Sequence, residues 1–237
     1  VGMVGSLIPA FLFAAAQKGI DSSLAGILNS LTPLFTMLVG LVFFRTKTRW
    51  YNAAGVVIGL AGAMGLVSIS GSGDFSFNMG YAILIIIAAL CYAVNVNLIK
   101  GFLQGINPIA ITSLAFFTVG PLALAYLLFF TGFTTHIVSD PAAPGGLGYI
   151  AILSVIGTGL ALMLFNRLIQ LSSAVFASSV TYFIPVVAVV WGIADGEHFR
   201  SGFIFWILLV ITGVLLVNTS SFRNNRVVRF FADNIKF

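Results

Sequence analysis

The stretch NSLTPLFTMLVGLVFFR, residues 29–45, is a long apolar run with Pro33 near its beginning. A proline inside a helix removes one backbone hydrogen bond and clashes with the carbonyl four residues back, at a cost of about 3 kcal/mol. With the residues just before it, the run is still long enough to cross a bilayer core as helix. Composition identifies the solvent. Only 7% of the 237 residues are charged and 59% are hydrophobic, with a mean hydropathy of +1.11. A water-soluble chain carries about 25% charged residues. There is too little polar surface here to cover a soluble globule, so the sequence predicts an all-α integral membrane protein.

Eight runs reach spanning length, at roughly 1–19, 22–44, 51–70, 79–102, 108–131, 146–170, 173–195 and 201–220. Turn-like or polar segments separate them, among them KGIDSS, RTKTR, GSGDFSFN, QGINP and DGEHFRS. Alternate connections then fall on opposite sides. One side collects Arg45, Lys47, Arg49, Lys100, Arg167, Arg223, Arg226, Arg229 and Lys236, nine of the eleven basic residues. The other holds Lys18 and Arg200 with Asp21, Asp74, Asp140, Asp195 and Glu197. Lys and Arg concentrate in cytoplasmic loops, so both chain ends are expected inside. The basic, aromatic tail after Ser220 reads as an interfacial helix on the anionic leaflet.

A shift of 152 residues lays Pro33 on Pro185, and with it Gly5 on Gly157, Leu12 on Leu164, Phe13 on Phe165, Ala25 on Ala177 and Gly40 on Gly192. Two adjacent spans match without a gap, in copies that cross the membrane in opposite directions. Inverted pairs of this kind are a common transporter architecture, with a solute site near the midplane where the repeats meet. The two prolines then mark either gating points or static kinks, both tolerated where neighbouring groups satisfy the freed carbonyls. The second copy, from about Asn78, has five spans and the first has three. The expectation is a ten-span protein of which this chain is an N-terminal truncation: 1–77 the last three helices of the first repeat, 78–220 the second repeat, and 221–237 a basic cytoplasmic tail.

The stretches SSLAGILNSLTPLFTMLVGLVFF with AAGVVIGLAGAMGLV, and SAVFASSVTYFIPVVAVVWGIADGEHF with ILLVITGVLLV, resemble the drug/metabolite transporter superfamily, specifically its EamA-type members. AALCYAVNVNLIKGFL is similar to the opening helix of that family's second repeat. The resemblance covers essentially the whole chain as third to tenth helices, and implies two inverted five-helix repeats. It says little about the solute. The family often has a Glu just after the proline helix; Glu197 stands there in the second copy, but Arg45 in the first.

No paired carboxylates, nucleophile with an adjacent base or phosphate-cradling loop is legible, so the sequence argues against an enzyme, a metal site or a cofactor. Cys91 stands alone, which excludes an internal disulfide. His136 and His198 are lone loop histidines. Lys18, Asp21, Arg45, Lys100, Arg167, Asp195 and Glu197 all fall near span ends, leaving no ionisable group at mid-depth.

What remains at mid-depth is neutral. Asn29, Ser30 and Thr32 in the first proline helix correspond to Thr181, Tyr182 and Ile184 in the other. Ser178 lies one turn earlier, Tyr92 and Asn95 sit with Cys91 in the fourth span, and Ser154 and Thr158 share a face of the sixth. Such groups should face inward, where they either hydrogen-bond between helices or line a wet cavity. Asn29, Ser30, Tyr92, Asn95, Thr158, Ser178, Thr181 and Tyr182 are the cavity candidates, with Pro33 and Pro185 as hinges. Gly55, Gly59 and Gly62 form a small-residue stripe expected to pack within the bundle, a dimer contact being the alternative.

The function expected is a multi-pass inner-membrane carrier that exports or exchanges small metabolites, amino acids or similar amphipathic solutes, by alternating access. The drive is either the solute gradient or protons. A lipid-carrier flippase, a non-transporting scaffold subunit and a channel are the alternatives. Partners are the solute and the bilayer; a homodimer is possible but not required, and nucleic-acid binding would need far more exposed basic surface.

Overall fold

The computed structural model describes residues 1–20, 22–70, 79–134, 137, 143–194 and 202–222. The tail 223–237, His136, His198, Glu197 and the loop acids named above lie outside the described residues. What is described is helical, without a strand among the described residues. A π-helical turn Met3–Leu7 leads into α1 (Ile8–Ala16), followed by α2 (Ser22–Asn29), α3 (Thr32–Phe43), α4 (Trp50–Ser70), α5 (Met79–Phe102) and α6 (Pro108–Phe130). Then come α7 (Ala143–Ile152), a second π segment Leu153–Leu160, α8 (Ala161–Leu171), α9 (Ala174–Ser179), a 3-10 turn Val180–Tyr182, α10 (Phe183–Ala194) and α11 (Gly202–Phe222).

Four of these helices are long and apolar enough to cross a membrane, and four shorter apolar helices occupy the other expected runs. Large side chains such as Phe117, Phe129, Trp191 and Leu153 point outward, while small and polar ones such as Ala88, Ala89, Ala93, Asn97 and Thr36 are buried. That is the distribution of a bundle whose surroundings are lipid. It is an all-α membrane bundle.

The proline helices are not continuous. α2 ends at Asn29, and α3 begins again at Thr32 with Pro33 in its first turn, where the missing N–H costs nothing. The second copy also leaves α geometry just before its proline, through the 3-10 turn Val180–Tyr182. The offset of 152 recurs throughout the elements. It carries the bounds of α4 onto those of α11, and places the turn Met3–Leu7 inside Leu153–Leu160.

α4 and α11 form the tightest contact in the bundle. A Cβ on Gly55 would come within 2.7 Å of the Gly213 carbonyl oxygen, and one on Gly62 within 2.7 Å of the Val210 nitrogen. A Cβ on Gly213 would run into the Gly59 backbone. The glycine stripe therefore packs inside the bundle and leaves no room for a side chain. Asn52 Nδ2 donates to the Val217 carbonyl at 2.9 Å and ties the two helices together.

Among the described residues, the basic side chains other than Lys18 gather at one end. Phe44 and Phe102 have ring centroids 5.8 Å apart, so the loop with Arg45, Lys47 and Arg49 lies beside the end of α5. Lys100 Nζ donates to the Gln170 carbonyl at 2.9 Å, which brings α8 and Arg167 to the same end. Gly19 packs on Tyr81 at the start of α5, so Lys18 lies at the other. Arg45 itself adopts φ 50°, and Thr46 N donates to the Gly40 carbonyl at 3.0 Å, a left-handed closure of α3.

Gly213→Ala should lower stability by about 1–3 kcal/mol, because backbone on the opposite helix cannot move aside as a side chain would. Gly26→Ala, whose Cβ would meet nothing within 4 Å, should be neutral or slightly stabilising. Thermal unfolding of the detergent-solubilised variants checks both.

Candidate functional site

Pro33 strands the carbonyl of Asn29, four residues back. In the bundle interior this oxygen is recovered locally. Thr32 Oγ1 donates to it at 2.7 Å and also approaches Asn29 Oδ1 at 3.3 Å. The break thus keeps its backbone satisfied while turning Asn29 and Thr32 toward the middle of the bundle. Thr32 corresponds to Ile184 in the second copy, which has no hydroxyl to offer, and there the chain takes the 3-10 turn instead.

Between the two breaks lies a cavity of about 570 Å³. Its wall comes from five places: the π turn and α1 (Gly5, Ser6, Ala10), the α2–α3 break (Asn29, Thr32), the middle of α5 (Tyr92, Asn95, Val96), the second π segment and α8 (Gly157, Thr158, Ala161, Leu162, Phe165), and the second break (Ser178, Thr181, Ile184). Ten of these sixteen residues form five pairs at the offset of 152: Gly5 with Gly157, Ser6 with Thr158, Ala10 with Leu162, Asn29 with Thr181 and Thr32 with Ile184. Among the described residues no charged side chain lines it. Each π segment sets a glycine and a hydroxyl residue side by side on the wall, and single π turns often mark functional sites.

Asn95 is the most constrained polar group on the wall. It is 8% exposed, and its Oδ1 is buried without a hydrogen-bond partner. Gly5 lies against its amide, where a Cβ would come within 2.6 Å. A smaller pocket beside it joins Gly5, Ser6 and Asn95 to Thr112 and Asn166. There Asn166 Nδ2 donates to Thr112 Oγ1 at 3.0 Å. Tyr92 is half-buried, with its ring 6.3 Å from that of Phe13.

Asn29, Tyr92, Asn95, Thr158, Ser178 and Thr181 therefore share one wall; Ser30 and Tyr182 do not. Tyr182 is fully buried against α4, its ring over Gly59 and its hydroxyl donating to the Val56 carbonyl at 3.0 Å. Ser30 is 3% exposed and donates back to the Gly26 carbonyl at 2.9 Å. Ser154 bonds the Ile150 carbonyl at 2.7 Å on an exposed face and is not among the residues that line the cavity.

The hydroxyls donate within their own helices or turns, although Thr112 also joins two helices by accepting from Asn166. Thr36, Thr112, Ser178 and Thr181 all donate to carbonyls of their own helix or turn, three or four residues back. A hydroxyl on one carbon cannot reach far, whereas amides and longer side chains can. Asn97 bridges to the Thr36 carbonyl at 3.0 Å, and Gln170 to those of Leu103 and Ile106 at 2.9 and 2.7 Å. Ser6 and Gly5 were absent from the expected site. Their signal was present in the repeat, since they fall at the same offset from Thr158 and Gly157.

The EamA-like transporter family profile matches residues 1–68 and 79–219. An inner membrane transporter of Escherichia coli, YedA, described as uncharacterized, is 29% identical over 218 residues, covering 88% of this chain and 65% of its own length. Its counterparts in two further strains of the same species match equally. The chain thus spans about two-thirds of the length of these curated relatives. A solved crystal structure of a protein shares the fold with a TM-score of 0.71 at 20% identity, covering 94% of this chain and 75% of the other. The chain belongs to the EamA-like transporter family.

Tyr182→Phe should cost about 1 kcal/mol of stability by removing the buried hydrogen bond from its hydroxyl to the Val56 carbonyl, with the cavity unchanged. Asn95→Ala should leave stability equal or improved, since it removes an oxygen that is already unpartnered. Paired unfolding curves of the two variants check this contrast.

Proposed function

We propose that this EamA-like family member is a multi-pass carrier of the inner membrane that exports or exchanges small metabolites by alternating access. The observation that carries the reading is the cavity wall, built from pairs of residues at one offset in two halves of the chain. A site on the axis that relates two inverted halves can be offered to either side by the same movement run in opposite directions. Pro33 and Pro185 follow the two breaks, where the backbone departs from regular α geometry. They are the bending points of this reading.

The solutes are amino acids or similar amphipathic molecules. Amide, phenol and hydroxyl groups on the wall can bind polar ends, while Val96, Leu162, Phe165 and Ile184 accept an apolar body. Asn29 and Asn95 bring amides to this wall from two different helices. A nucleotide fits poorly, because no cation on the wall would receive its phosphates. The reading assigns no catalysis, needs no second copy, and keeps the segments 1–77 and 78–220 as parts of two inverted repeats, with the basic end and both termini in the cytoplasm.

Proteoliposomes offered a panel of amino acids and related metabolites, with and without a proton gradient, test this. Saturable uptake that accelerates on preloading with the same solute is the expected result, and the gradient reports coupling. Asn95→Ala and Asn29→Ala should each reduce it about tenfold in protein that remains folded. Folded protein that moves no member of the panel would overturn the proposal, and flux that never saturates would replace the carrier with a channel.

A further inference from the structure

A second concavity, of about 710 Å³, lies at the basic end of the bundle, where α5 turns into α6 against α8. Gln170 pins that turn in place through its bonds to the Leu103 and Ile106 carbonyls, and Gly105 at φ 84° allows the chain to reverse. α6 starts in its wall, with Asn107 Oδ1 accepting from Ile109 N at 2.9 Å. The opposite wall is one stripe of α8 and the segment before it. Leu160, Met163, Leu164 and Arg167 follow at spacings of three and four, so one helical face runs from apolar side chains to a guanidinium. Leu164 is 63% exposed and Ile109, across the groove, 56%.

Arg167 makes no hydrogen bond or ion pair with any of the described residues, whereas Lys100 beside it is engaged by the Gln170 carbonyl. The groove is therefore cationic at its mouth and apolar toward the bilayer centre. Leu160 lies seven residues before Arg167, about 10 Å along the helix. We propose that it holds one anionic phospholipid, with the phosphate on Arg167 and an acyl chain along Leu164, Met163 and Leu160. A guanidinium matches a phosphate with two parallel hydrogen bonds. Arg45, Lys47, Arg49 and Lys100 at the same end favour a lipid of net negative charge over a zwitterion, whose ammonium they repel. A free anion would leave the apolar wall uncovered, and a bilayer lipid covers both parts at once. This site is separate from the central cavity and shares no lining residue with it.

Native mass spectrometry of the detergent-solubilised chain, equilibrated with phosphatidylglycerol or phosphatidylcholine of equal acyl length, tests the assignment. The expected result is one retained phosphatidylglycerol, preferred about fivefold, with that preference lost in Arg167→Ala and largely kept in Arg167→Lys. Leu164→Trp, which narrows the apolar wall without touching the charge, should also reduce retention. The proposal is overturned if Arg167→Ala keeps the preference or if Leu164→Trp retains lipid as well as the parent. It is overturned as well if inorganic phosphate at equal concentration displaces the lipid, since the groove would then be a site for a soluble anion.

Discussion

A carbonyl stranded by proline in a bilayer interior has no water to turn to, and the rest of this molecule is arranged around that constraint. The chain satisfies it at residue 29 with a neighbouring hydroxyl rather than with another helix. Because the repair is local, the helix can break there and still tolerate burial. The break then turns an amide and a hydroxyl residue to the centre of the bundle, where a regular helix would present only hydrocarbon. At the second proline the repair differs, through a short 3-10 turn, and the break falls at the same place in the repeat.

The same economy separates two kinds of polar residue. Ser and Thr hydroxyls donate back into their own helix or turn, and Thr112 also accepts from Asn166 on the neighbouring helix. Asn52, Asn97, Asn166, Gln170 and Tyr182 reach across to other segments. Asn95 belongs to the second kind by chemistry but has no partner for its oxygen. It stands on α5, facing a cavity whose other polar groups come largely as pairs at one offset. An unpaired acceptor in a low-dielectric interior is costly, which sets this residue apart from the other polar groups on the wall.

Close packing of α4 on α11 complements the open centre. Glycines on both helices let the backbones approach at that contact, and Tyr182 fills the corner beside it with its hydroxyl donating to the Val56 carbonyl. The bundle thus has a closely packed helix pair at one place and broken helices at another. The groove at the basic end belongs to neither. It is shaped by a turn held from outside by Gln170, and it faces the lipid that surrounds the bundle.

The amino-acid sequence by itself determined the solvent, the eight apolar runs, the offset of 152 and the prolines at corresponding depth, because each of these depends only on composition and spacing. It also placed Asn29 opposite Thr181 by register alone. It did not determine which polar groups would face inward together. A π turn adds about one residue to the helical repeat and rotates everything beyond it by about 100°, so regular spacing did not bring out Ser6 beside Gly5 on the wall. The 3-10 turn did the same to Tyr182, which went to the glycines of α4 rather than to the cavity. Those assignments were made by the tertiary structure, through the closeness of helices that only small residues permit.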